Sequence, residues 1–402
     1  MMRMPATLGM NQIVSHGFGM FLFAALMPFM RESIEITPWQ LASIGALTQL
    51  AYLGGAMLLG LVGHQLGTAR LALLTGIVSS SLLFTMSQLH DPMLITLVLT
   101  CLAASAAISW GCIVEIVSRC ARAELRSTYL SCISSGTAWG YALNGLLILL
   151  AVPLLGWQRS WQLASLFGAL VVCLTWHLLT NLKSLPEVQV DNRDTIIPPR
   201  RLFATVIGER TALFACLICL LVGFTTMPFS YWLNSYLDER GLPAALGGYT
   251  WATVGGTGMV AGFITGKLAD RKGHGTALAV IFSGFALGLM AFVIDPGKGA
   301  LIAGFGYGLM YFPMWGIVAG WVNQSYSSTA TMQISGICMV TFGLGGTLGN
   351  LLAGYIREST GSLHDVFLAL SAASLLLVAL AIVILRGDRK AAAAKPAASE
   401  AI

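Results

Sequence analysis

The chain has 402 residues, 56% of them hydrophobic and 10% charged, whereas soluble domains carry roughly 25% charged residues. This excludes a soluble globular protein and predicts an all-α integral membrane chain whose first partner is the lipid bilayer. The formal net charge of +5 calls for no nucleic acid, because the cytoplasmic loops of membrane proteins are rich in Lys and Arg.

A membrane-crossing helix needs about 20 apolar residues. Such runs fall at 8–29, 39–62, 69–87, 93–118, 128–152, 160–181, 211–235, 245–266, 275–294, 299–321, 329–355 and 364–385. The first lacks a cleavage pattern and continues as a full span, so it reads as a helix and not as a removable signal. Thr37 and Pro38 suit the N-cap and first position of the second helix. An even number of crossings puts both termini on one side. Placing them in the cytoplasm leaves only Arg31, Arg159, Arg240, Lys298 and Arg357 outside, of 22 Lys and Arg, and that asymmetry sets the orientation. Residues 182–210 hold Pro186, Pro198 and Pro199 among charges of both signs and read as a cytoplasmic connector. The tail from Arg386 is basic, then alanine-rich, and is expected to be disordered. The expected organisation is a six-helix bundle over 1–181, the connector over 182–210, a second bundle over 211–385 and the tail over 386–402.

Between the eighth and ninth runs lies Gly266-Lys267-Leu268-Ala269-Asp270-Arg271-Lys272-Gly273-His274-Gly275, which reads as a short loop. Gly266 lets two helices approach closely, and the Asp270 carboxylate can accept N–H bonds from the next helix start. The pattern G-x-L-A-D-R-x-G resembles the signature loop of the major facilitator superfamily of transporters, found after the second helix of each half. A second copy stands at the matching place in the first half, from Gly60 to Arg70, with His64 and Gln65 where the pattern has Asp and Arg. Leu26-Met27-Pro28-Phe29-Met30 and Ile36-Thr37-Pro38-Trp39-Gln40 resemble the first outer loop of the drug- and sugar-efflux permeases of that superfamily. Gly156-Trp157-Gln158-Arg159-Ser160-Trp161 resembles its pattern before the sixth helix.

The resemblance implies twelve transmembrane helices in two pseudo-symmetric halves that rock about a midplane site. It implies a monomeric secondary transporter of the inner membrane, with no cofactor, no metal and no enzymatic activity. It makes Gly266, Asp270, Arg271 and Gly273 a cytoplasmic latch, with Glu115, Arg119 and Arg122 as a second gating element. It also has helices one, four, seven and ten line the cavity.

Ionisable groups are costly in lipid and mark function by default. Glu115 is the single acidic candidate in the interiors of the spans, with Arg119 four residues on. It reads either as an end-of-helix salt bridge to Arg119, Arg122 or Arg70, or as a proton or cation site. His16 lies within the first run, and histidine is the side chain that titrates near neutral pH without help. It reads either as the proton-coupling group or as a neutral histidine bonded to a neighbouring helix. Tyr307, Tyr311 and Trp315 recur on one helix face, and with Gln49, Asn144 and Tyr231 they are candidates for contact with substrate. Cys216-x-x-Cys219 lies in an apolar helix and reads as packing. The interiors of the spans hold no Lys or Arg, which disfavours a dianionic substrate. The expected function is proton-coupled efflux of a neutral or amphipathic organic solute. The alternatives are proton-coupled uptake of a nutrient or siderophore-like compound, and a non-transporting sensor with the same fold.

Overall fold

The computed structural model describes residues 3–121, 123–181, 199–326 and 328–393. Among them the chain is helical, as apolar segments must be where lipid offers the backbone no hydrogen bonds. Helix α1 comprises Arg3–Gln12, a π-helical segment Ile13–Phe18 and Gly19–Arg31. There follow α2 (Pro38–Leu66), α3 (Thr68–Met86), α4 (Pro92–Cys120), α5 (Ala123–Leu146, prolonged by a π-helical segment Leu147–Ala151) and α6 (Val152–Asn181). After the short connector helix Pro199–Gly208 come α7 (Arg210–Glu239), α8 (Ala244–Lys272), α9 (His274–Ile294), α10 (Pro296–Asn323), α11 (Ser328–Thr360) and α12 (Leu363–Ala393).

Among the described residues ten continuous stretches are long and apolar enough to cross a membrane. One of them, Cys132–Asn181, is 50 residues long and breaks at Gly156, where φ is 82°, so it carries two passes. Helix α8 is diluted by glycine and threonine and falls outside that set. With it the fold is consistent with twelve passes.

The two halves repeat each other in their turns. The chain reverses at Gly67 (φ 79°) after α2 and at Gly273 (φ 88°) after α8, and again at Gly156 and at Gly361 (φ 72°) before α6 and α12. These left-handed conformations suit glycine. Helices α4 and α10 both start with Asp-Pro. Asp91 accepts the Met93 N–H at 2.7 Å and Asp295 accepts the Gly297 N–H at 3.0 Å, with proline at the first helical position in both. Thr37 and Gln40 form a reciprocal capping box at the start of α2.

Two expectations change. Gly266–Lys272 is not a loop: α8 stays helical through Lys272, and the turn is Gly273 alone. A helix need not end where the hydrocarbon ends, because its backbone bonds serve equally well in water. Likewise α12 runs past Arg386 to Ala393, carried by alanine, the strongest helix former.

The start of α1 and the end of α12 lie at one end of the bundle, here the terminal end; the other is the distal end. The halves are bonded together towards the distal end. Asn234 Nδ2 of α7 donates to Ala25 O of α1 at 2.6 Å, and the Thr48 and Tyr231 hydroxyls pair at 2.9 Å between α2 and α7. Thr347 Oγ1 of α11 donates to Ala46 O of α2 at 3.4 Å. Helices α5 and α8 touch backbone to backbone, a Cβ on Gly145 meeting Gly248 O at 2.5 Å. Nearer the terminal end, Gly266, Gly316 and Gly336 of α8, α10 and α11 face no atom within 4 Å of an added Cβ.

Candidate functional site

The π-helical segment Ile13–Phe18 sits in the middle of α1. Such wide turns leave carbonyls in search of donors and are common at functional sites. Here Asn144 of α5 donates to the Gly17 carbonyl at 2.9 Å. The two helices can approach that closely because Gly17 and Gly140 meet face to face: a Cβ on either would fall within 2.5 Å of the other's Cα. The segment presents His16 to α2. Its Nε2 lies 3.1 Å from the Tyr52 hydroxyl and its Nδ1 3.1 Å from Ser15 Oγ. Both partners are hydroxyls that donate or accept, so they fit either tautomer of a neutral imidazole.

Above it, towards the distal end, three helices join through hydroxyl groups. Tyr141 of α5, Ser230 of α7 and Tyr307 of α10 form a triangle with sides of 3.0, 3.0 and 3.3 Å. Rings close around the triangle: Trp251 stacks on Tyr141 at 4.9 Å and Phe229 on Tyr307 at 5.2 Å. Helix α10 carries its stripe down from this layer. Tyr307 is fully buried, Tyr311 is 9% exposed and contacts Tyr307 at 5.1 Å, and Trp315 is half-buried against Phe342 of α11. The stripe thus runs from the sealed layer towards the terminal end.

The other cavity candidates lie in helix interfaces. Tyr231 is bonded to Thr48. Gln49 packs on Gly346 of α11, its Cγ within 3.1 Å of an added Cβ, and its Nε2 has no partner among the described residues. Asn144 holds α1 as described. At the terminal end, Gly266, Asp270 and Arg271 occupy the last turns of α8, with Asp270 and Arg271 exposed. Gly273 supplies the turn and stands at the N-cap of α9, where it has no side chain to offer. Glu115 pairs with Arg119 one helical turn on, each 39% exposed. Arg122 lies outside the described residues, as do the side chains of His64 and Gln65. The structure therefore joins His16 to Tyr52 and Tyr307 to Tyr311, and keeps Glu115 and Asp270 apart from both groups. Sequence reasoning passed over Tyr52 and Ser230. The signal for Tyr52 was present: it falls on α2, which faces α1, at the depth of His16.

A family model described as the Major Facilitator Superfamily matches residues 12–332. The human voltage-gated purine nucleotide uniporter SLC17A9 is 24% identical over 281 residues, 63% of this chain and 61% of that protein's length. Two crystal structures of the nucleoside transporter NupG superpose on the fold. One, of a point mutant, gives a TM-score of 0.74 at 14% identity over 94% of this chain and 99% of that one. The other gives 0.69 at 15% identity over 95% and 99%. Taken with the all-helical fold and its repeated turns, the match of the family model over most of the sequence shows that the chain is a multi-pass membrane protein that belongs to the major facilitator superfamily of transporters.

Proposed function

We propose that the chain moves a neutral organic solute with a planar ring and hydroxyl groups across the cytoplasmic membrane by alternating access, coupled to protons through His16. One observation carries the solute class. The groups where the halves meet are aromatic rings, hydroxyls and an imidazole (His16, Tyr52, Tyr141, Ser230, Tyr307 and Tyr311), with no Lys, Arg, Asp or Glu hydrogen-bonded to them among the described residues. Such walls grip rings by stacking and hydroxyls by exchange of hydrogen bonds. A phosphate would find no cation there. Nucleosides, the substrates named for NupG, have this chemistry, so they are the first solutes to try ahead of the nucleotides named for SLC17A9.

Orientation follows from the Lys and Arg asymmetry, which puts the terminal end in the cytoplasm. The bonded distal end then makes this an inward-facing arrangement. Among the described residues no hydrogen bond or ion pair joins Gly266, Asp270 or Arg271 to the other half, as a latch that closes only in the outward-facing state requires. Glu115 with Arg119 fits a second gating element. Tyr311 and Trp315 are the substrate contacts on the C-terminal half. The first-loop resemblance to efflux permeases favours export.

Proteoliposomes with an imposed pH gradient and labelled nucleosides test this. Saturable flux that follows the gradient is the expected result, its direction separating export from uptake. Flux of nucleotides but not of nucleosides would overturn the solute class, and no flux of any solute would favour a sensor.

A further inference from the structure

Where α2 meets α11 in the distal seal, the two helices hook into each other reciprocally. Each carries a glycine and, one turn on, an amide: Gly45 and Gln49 on α2, Gly346 and Asn350 on α11. The helices run in opposite directions, so each amide lies over the other helix's glycine. A Cβ on Gly45 would meet Asn350 Cγ at 2.6 Å, and one on Gly346 would meet Gln49 Cγ at 3.1 Å. Both amides are sealed in, Gln49 at 2% exposure and Asn350 at 0%. Neither is fully answered there: Gln49 Nε2 and Asn350 Oδ1 have no hydrogen-bond partner among the described residues. A glycine offers no side chain, and the other close neighbour of Gly346 is the apolar Met227. Asn350 Nδ2 turns back to the Gly346 carbonyl of its own helix at 3.0 Å and does not reach across.

We propose that Gln49 and Asn350 are a spring in the distal seal: half-answered while it is closed and hydrated once it opens, they bias the transporter towards the distally open state. A buried amide atom without a partner is unfavourable, and exposure to water removes the penalty. The penalty belongs to one state only, so it shifts the balance between the two. It opposes the bonds that close the same seal, from Thr48 to Tyr231, Asn234 to Ala25 and Thr347 to Ala46. Bonds alone would trap the closed state; with the spring the two states stay near enough in free energy to interconvert. The proposal rests on the alternating-access reading, and on neither the solute nor His16.

The test replaces each amide by an apolar side chain of like shape, Gln49→Met and Asn350→Leu, singly and together, in the purified full-length protein. Gln12→Met is the control. Gln12 of α1 is 1% exposed and its Nε2 is likewise unpartnered among the described residues, but it packs on Gly136 of α5 in its own half. Cysteines at the exposed Glu35 and Glu358, in a background without the eight native ones, carry spin labels on the two sides of the seal. Pulsed electron–electron distance measurement then gives the closed and open fractions, and Tm is read on the same samples. The double variant should raise the closed-to-open ratio roughly tenfold, each single variant by less, with a higher Tm in all three. Gln12→Met should leave the ratio as in the wild type. A closed fraction or a Tm that does not rise in the double variant would overturn the spring and mean that the closed seal satisfies both amides. An equal shift of the ratio in Gln12→Met would overturn it too, as would a wild type with no distally open fraction. Failure of the transport reading shows separately, as no solute flux through the wild type in proteoliposomes, which neither measurement uses.

Discussion

At the scale of single residues, the His16–Tyr52 pair and Asp270 lend themselves to separate tests. If His16 carries the proton, His16→Ala abolishes accumulation driven by a pH gradient and leaves solute exchange intact. Tyr52→Phe removes only the hydroxyl 3.1 Å from Nε2. One such bond is worth about 1 kcal/mol, so the pH dependence of transport shifts while coupling survives. Gradient-driven uptake and exchange, measured in the same vesicles over a pH series, decide this; intact coupling in His16→Ala removes the role. Asp270 is exposed and bonded to no described residue, so Asp270→Asn leaves folded yield unchanged. A latch that forms only in the outward-facing state still loses about 1–3 kcal/mol of its bias, slowing transport by roughly 5- to 150-fold. Cysteine labelling from the cytoplasmic side rises in parallel. A normal rate with unchanged labelling removes the latch.

At the scale of elements, the α1–α5 contact is the most exacting. Gly140→Ala drives a methyl group into the Gly17 Cα, well inside contact distance, so the helices must part and the Asn144 bond to the Gly17 carbonyl stretches. Overpacking of this kind is destabilising by about 1–3 kcal/mol. A clear loss of Tm is expected, against little change for Gly266→Ala, which meets open space. Equal Tm values for the two would show that the close approach is unimportant. The contrast also marks what was legible in the sequence. The helices were, because lipid demands long apolar runs and the chain supplies them. The repeat was, through Gly266–Gly273 and its first-half copy. The end of α8 was not, because polarity marks where lipid stops and not where a helix stops. The π-helical turn at Ile13–Phe18 has no residue pattern of its own. Periodicity put Tyr307, Tyr311 and Trp315 on one face, yet it could not say that Tyr231 and Gln49 would meet neighbouring helices, because spacing fixes a face and not what that face touches.

At the scale of the whole molecule, transport by rocking requires the distal seal to open. The seal includes α2 against α11, where a Cβ on Gly45 would meet Asn350 Cγ at 2.6 Å, so Gly45→Cys with Asn350→Cys places two thiols within reach of each other across the halves. The eight native cysteines are first replaced to give a clean background. In the inward-facing arrangement a mild oxidant should then join the pair, as a disulfide needs Cβ atoms about 3.5–4.5 Å apart. Locked protein should bind solute from the terminal end but not carry it across, and a reductant should restore flux. The same experiment reads the orientation. Reporters fused after Lys183 and at the C-terminus should both report cytoplasm and one near Arg240 the outside, so only reagents applied from the cytoplasm should reach the cavity of the locked form. Labelling of the locked cavity from the outside would invert the assignment. Full-rate transport through a quantitatively cross-linked pair would mean that α2 and α11 do not part in the cycle, and the rocking model would fall with it.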